Sequence, residues 1–273
     1  MAKARTAKTT FRGDPASLGR SFKRRLAKGE VLLGGTVAEY IRPSLVKIYR
    51  HAELDFIFVD REHAFLDGKE MSDFVLFARD NKMPVISKIS ELNRPEVARL
   101  LDAGAVGIQL PRTESREQLM TLIQYLKFPP LGRRAGALGY GNVDYLPPED
   151  DRAWLKKANQ STVIVAHIET ALGYQNAEEI ITTPHVDMVY VGPYDFSISM
   201  GYPGQSNHPR VKGPMSEILA LCRKHNVPFG TSAASPQAGV EWISRGCRFF
   251  ELDNELSLIQ VGAAELAKIY RKR

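Results

Sequence analysis

Ionisable side chains gather at four places where short apolar runs stop. Asp60, Arg61, Glu62 and His63 stand together in "VDREHAF" after the apolar "LDFIF", Lys88 lies in "VISKIS", Glu169 ends "TVIVAHIE", and Asp195 follows in "VGPYDFS". Two carboxylates, Glu169 and Asp195, with water and substrate completing the coordination, suit Mg2+ or Mn2+, whereas zinc favours nitrogen and sulfur. Singly, either acid could equally cap the helix that follows; as a pair ending successive strands they are read as metal ligands. His63 carries an imidazole, which titrates near neutrality and can move a proton directly or through a water. Asp60, three residues earlier, and Asp102 in "LLDAGA" are carboxylates that could orient it or contact substrate. Lys88 could bind a substrate carboxylate, stabilise an enolate oxygen or, if desolvated, form a Schiff base, and the sequence leaves these alternatives open. His167 alternates with Glu169 on one strand, so both side chains point the same way, toward the site.

These residues need a scaffold that brings strand ends together. From residue 31 onward short β-branched runs alternate with amphipathic segments, and strands are expected at 31–39, 55–60, 84–89, 106–111, 162–169, 187–192, 227–232 and 247–252. Helical candidates such as "RPEVARLLDAG", "SREQLMTLIQYLK" and "SPQAGVEWISRG" lie between them, several stopped by Gly. Eight such units favour a closed (β/α)8 barrel, in which active sites collect at the C-terminal ends of the strands. No GxGxxG follows the first strand and no GxxxxGK[ST] occurs, so a nucleotide-binding domain has no support. One interval, residues 127–154, is long and rich in Gly and Pro. Lying between the fourth and fifth strands, it is expected as a loop on the catalytic face, with Arg133 and Arg134 contacting an anion.

Composition sets the outer limits. The chain has 273 residues, enough for one barrel domain, and its net charge of +6 is confined to one end. Residues 1–30 hold nine Lys and Arg against Asp14 and Glu30, and the remainder is nearly neutral. A basic, flexible arm over 1–30 and a single barrel domain over 31–273 are therefore expected; a solvated arm is the plainer reading than one that binds nucleic acid. No apolar run is long enough to span a membrane, and a soluble cytoplasmic protein is expected. Cys222 and Cys247 lack ligand or framework spacing and are read as structural thiols.

With these residues placed, the chain from about 31 to 260 resembles the HpcH/HpaI family of class II 2-oxo-acid aldolases. The motifs that carry the likeness are "VDREHAF", "LLDAGAVGIQLPR", "FPPLGRR", "WLKKANQ", "IETALGYQNAEEI", "VDMVYVGPYDFSISMGYPG" and "HPRV". The resemblance implies a TIM barrel of the phosphoenolpyruvate/pyruvate type, with a divalent metal ion, Mg2+ or Mn2+, held by Glu169 and Asp195. It implies catalytic roles for His63, in proton transfer, and for Lys88 and Asp102, with Asp60, His167 and Arg134 near the substrate. The "GPYDFS" backbone at Gly192 and Pro193 would hold the substrate carboxylate. The implied partners are a 2-oxo acid and an aldehyde or related acceptor. A homo-oligomer, hexamer or trimer, is implied too, assembled through the C-terminal helix "ELSLIQVGAAELAKIYRKR". Lys88 stands where the family has Arg, His167 where Gln or Met is usual, and Ala135 where Gly follows the Arg of the loop. These departures bear on substrate or chemistry: decarboxylation, another C–C reaction, a Lys88 Schiff base and a non-catalytic scaffold are the alternatives.

Overall fold

Runs such as "FIFV" and "VIVAHI" are apolar on both faces, as strands lying between a barrel interior and a helical coat must be. The computed structural model of the protein describes residues 15–271. In chain order the elements are α1 (Pro15–Ala27), β1 (Leu32–Val37), α2 (Pro43–His51), β2 (Phe56–Val59), α3 (Gly68–Asp80), β3 (Val85–Lys88), α4 (Arg94–Ala103), β4 (Gly107–Leu110), α5 (Arg116–Leu126), α6 (Asp151–Ser161), β5 (Val163–Ile168), α7 (Ala171–Gln175), α8 (Ala177–Ile181), β6 (Met188–Val191), α9 (Pro193–Ser199), α10 (Pro209–Lys224), β7 (Phe229–Thr231), α11 (Pro236–Arg245), β8 (Phe249–Asn254) and α12 (Glu255–Arg271). All eight strands pair in parallel in sequence order, and β1 closes on β8, giving a (β/α)8 TIM barrel. The expected strands all form, each within a residue or two of its predicted limits at the start.

The barrel interior changes character along its axis. Its floor is one apolar cluster that includes Leu32, Phe56, Ile86, Val163, Met188 and Phe249. Phe56 and Phe249 stack at 4.8 Å, and Gly34 leaves room for them, since a Cβ there would lie 2.1 Å from the Phe56 ring. Higher up, toward the strand C-termini, the buried side chains become polar: Lys88, Gln109, His167 and Glu251. Register brings them together, with Lys88 opposite Gln109 and His167 opposite Tyr190.

Two expectations need correction. The arm expected over residues 1–30 does not extend that far, because residues 15–27 form a helix that plugs the barrel floor. Phe22 and Leu26, four residues apart on one helix face, are buried in the floor cluster, and Phe22 meets Phe56 edge-on at 5.5 Å. The basic residues are matched to the body: Lys23 pairs with Asp187 at 2.8 Å, and Arg25 with Glu30 at 2.6 Å and Asp55 at 2.7 Å. Residues 1–14, the rest of that expected arm, lie outside the described residues.

The second correction concerns residues 127–154. The segment does not leave the end of β4 but the end of α5, after the chain has already returned to the opposite face. It is pinned there rather than poised over the strand ends. Lys127 donates to the Asn159 and Thr162 carbonyls at 2.6 and 3.0 Å, Arg134 pairs with Asp102 at 2.6 Å, and Arg79 pairs with Asp144 at 2.6 Å. Cys222 and Cys247 are buried free thiols. No helix among the described residues is long and apolar enough to cross a membrane.

Candidate active site

The strand C-termini bring Glu62, His63, Arg112, Glu169, Asp195, Ile198 and Ser199 around one cavity of about 230 Å3. A larger groove of about 740 Å3 runs outside the barrel along α3 and α4; Asp102 lines it, but Lys88, Glu169, Asp195 and His63 do not. The barrel mouth is therefore the candidate site.

After β2, Asp60 organises the loop. Its Oδ1 accepts from the backbone N–H of Glu62 at 2.9 Å and of His63 at 3.2 Å, a local turn that aspartate favours. Arg61 is drawn aside to Glu96 at 2.8 Å. His63 is thereby left at the rim with a side chain 64% exposed, its Nε2 3.5 Å from Glu62 Oε2. Lys88, at the end of β3, is buried with its Nζ 3.0 Å from Asp60 Oδ2 and 2.9 Å from Glu62 Oε2. Burial alone would lower its ammonium, but Asp60 and Glu62 outweigh that and hold the group above its ordinary value. Lys88 is a charged strut between two acids, not a free amine.

Glu169 stands just past β5 and is buried. The backbone N–H of Arg112, at the end of β4, donates to its Oε1 at 2.6 Å, while Oε2 lies 3.1 Å from His167 Nε2. Burial pushes the Glu169 carboxyl up to about 7, against the pull of the Arg112 N–H and Lys88. Asp195 reaches the same cavity from the first turn of α9. Among the described residues no group of three or more His, Cys, Asp or Glu could hold a metal ion; Glu169 and Asp195 offer this cavity two carboxylates, hard oxygen donors. That set fits Mg2+ or Mn2+.

His167 lies one layer below the cavity rather than on its wall. Its Nδ1 is 3.3 Å from Gln109 Nε2, and its ring meets Tyr190 edge-on at 4.8 Å. Burial, then the charges of Lys88 and His63, hold the imidazole well below its ordinary value, so the ring is neutral. Gly192 covers it, since a Cβ there would come within 2.5 Å of His167 Nε2. Pro193, the first residue of α9, has no N–H to offer a carboxylate. Deeper still, burial holds the Glu251 carboxyl well above its usual range, beside Tyr190 and Gln109.

Asp102 and Arg134 are not brought to this mouth. Asp102 sits at the far end of α4, where helices end and strands begin, and neutralises the buried Arg134 guanidinium. In sequence "LLDAGA" precedes β4, so its acid belongs to the opposite face from the strand C-termini.

The profile of the HpcH/HpaI aldolase/citrate lyase family matches residues 39–258. The chain belongs to that family. It is an enzyme of the aldolase type, a carbon–carbon lyase. The chain is 30% identical over 263 residues to a hydroxypyruvate/pyruvate aldolase of Roseobacter denitrificans, covering 93% of this chain and 98% of that one. It is 25% identical over 260 residues to a 5-keto-4-deoxy-D-glucarate aldolase of Klebsiella pneumoniae, covering 95% and 100% of the two chains. Its fold is similar to the crystal structure of an HpcH/HpaI aldolase from Desulfitobacterium hafniense DCB-2, with a TM-score of 0.87 at 28% identity over 92% of this chain and 96% of that one.

Two charged residues of the cavity, Glu62 and Arg112, receive no role from sequence. Glu62 stands beside Arg61 in sequence, and its place between Lys88 and His63 arises only when the ends of β2 and β3 are brought side by side. Arg112 stands two residues beyond β4 in "QLPR", a strand-end position that an ordinary solvated arginine could equally occupy.

Proposed function

We propose that this enzyme is a divalent-metal-dependent aldolase that cleaves or forms a 4-hydroxy-2-oxo acid, with Glu169 and Asp195 holding Mg2+ or Mn2+. The observation that carries the reading is the convergence of a buried carboxylate, Glu169, and a half-buried one, Asp195, on one small cavity with an imidazole at its rim. The two aldolases named above act on oxo acids by name, which agrees with it. When bound, the ion supplies Lewis acidity, neutralising charge that develops on the oxo acid as the C–C bond breaks or forms.

The chain's own residues do the rest. His63, exposed at the rim, takes the proton from the 4-hydroxyl in cleavage, directly or through water, and C3 of the departing oxo acid gains a proton through water; in synthesis both transfers reverse. Asp60 holds the His63 loop through two backbone hydrogen bonds and so acts by positioning. Glu62 lies between Lys88 and His63, its Oε2 2.9 Å from Lys88 Nζ and 3.5 Å from His63 Nε2, and so links the buried cation to the rim. The Arg112 N–H fixes one oxygen of Glu169, and His167 packs against the other. Lys88 balances the acidic mouth, a role its charged state suits and one that leaves it unsuited to Schiff-base attack, which needs a neutral amine.

Chelation tests the reading. Enzyme stripped with EDTA should lose pyruvate release from a 4-hydroxy-2-oxo acid and regain it on adding Mg2+ or Mn2+. Full turnover in the stripped enzyme would sink it.

A further inference from the structure

The rim of the cavity carries a cation that this chemistry leaves unused. Arg112 follows β4 with a left-handed backbone, φ 46°, which a residue bearing a side chain seldom adopts. Contacts on both sides impose it. Its own N–H donates to Glu169 Oε1 at 2.6 Å, and the next residue, Thr113, donates its N–H to the His167 carbonyl at 2.9 Å and its hydroxyl to the Leu110 carbonyl at 2.8 Å. The turn is thus clamped to β5, and the root of the Arg112 side chain is fixed beside Glu169.

The guanidinium itself is nearly free. Its side chain is 66% exposed, and Glu114 Oε1, its ion-pair partner, is 3.7 Å from Nη2, beyond hydrogen-bond range. The other cations near the mouth are committed: Lys88 lies buried between Asp60 and Glu62, and Arg61 is bound to Glu96 at 2.8 Å. Among the described residues lining the cavity, Glu62, Glu169 and Asp195 are acids and Arg112 is the one guanidinium. On the metal-dependent reading, an oxo acid seated by its head at the acid pair would extend its far end along the cavity, whose wall includes the exposed Arg112.

We propose that Arg112 determines specificity by binding an anionic group, a carboxylate, at the end of the 4-hydroxy-2-oxo acid remote from the oxo-acid head. The assignment rests on the metal-dependent reading above. A planar guanidinium grips a carboxylate through two parallel N–H donors, and a fixed backbone root lowers the ordering cost of that grip. A neutral far end would gain nothing from it.

The test compares two unreactive acids of equal chain length, 2-oxoglutarate with a far carboxylate and 2-oxopentanoate without one, titrated calorimetrically into Mn2+-loaded full-length protein. The wild type should prefer the diacid by about tenfold or more, the scale of a hydrogen-bonded charge pair. That preference should shrink with added salt, fall close to unity in Arg112→Met and return in part in Arg112→Lys. No preference in the wild type, absence of diacid binding, or an equal preference in Arg112→Met would overturn the assignment. Should Arg112→Met not fold, Arg112→Lys and the salt dependence of the wild type still decide it. The same titrations without Mn2+ separate the two readings: binding that ignores the metal contradicts the metal site, while a preference that still depends on Arg112 upholds this one.

Discussion

Glu169 is held by a backbone N–H on one oxygen and an uncharged imidazole on the other, and its carboxyl sits at about 7 because burial disfavours its charge. Between its ordinary value of 4.5 and about 7 the folded chain binds a proton there that the unfolded chain does not. Its contribution to stability therefore shrinks as pH rises through that window. On the proposed reading, a metal ion held by Glu169 would displace the same proton. Mn2+ affinity of the stripped protein is expected to rise about tenfold per pH unit below neutrality and to level off above it; calorimetric titration at several pH values checks this, and an affinity flat in pH would contradict it. At this scale the sequence was most legible in grouping: Glu169, Asp195 and His63, each following a strand, line one cavity. It was least legible for Asp60 and His167. Both are close to the chemistry, but each spends its polar atoms on neighbours, and hydrogen-bond partners are a product of register rather than of residue type.

At the scale of elements, the barrel strands were readable because each is a short apolar run bounded by turn residues, and all eight formed. The helix α1 was not, because nine basic residues in thirty masked an amphipathic stripe whose apolar members, Phe22 and Leu26, face the barrel floor. Replacing Phe22 with Ala opens a cavity against Phe56 and Phe249 and is expected to cost about 3–5 kcal/mol. Urea unfolding measures it; a loss below about 1 kcal/mol, the size of a surface change, would show that α1 is not part of the core. The 127–154 segment misled for a different reason. Its Gly and Pro content marks a long connection, but which face it lies on depends on whether a helix has already carried the chain back, and α5 has. Arg134 was assigned to the mouth by that same misplacement and Asp102 by the resemblance, and their 2.6 Å pair instead ties the loop to α4 on the far side.

For the whole molecule, α12 leaves the barrel held mainly by its first residue. Glu255, the one buried residue of that helix, accepts the backbone N–H groups of Ala38, Glu39 and Tyr40. Beyond it Leu258, Ile259, Val261, Leu266, Ile269 and Tyr270 are exposed. So many apolar side chains on one projecting helix suit contact with another copy of the chain, and a homo-oligomer is the assembly we propose. Light scattering should give a multiple of 30.5 kDa for the wild type and a smaller mass for Leu258→Asp with Ile269→Asp. A monomeric wild type would contradict it. The central claim, a carbon–carbon lyase whose divalent ion is held by Glu169 and Asp195, is tested most directly by Mn2+ binding to stripped wild type, Glu169→Ala and Asp195→Ala, read by electron paramagnetic resonance. The wild type should bind Mn2+ stoichiometrically, and each variant should lose at least about a hundredfold in affinity, the upper range for residues that merely support a metal ligand. Equal binding by all three proteins would contradict it.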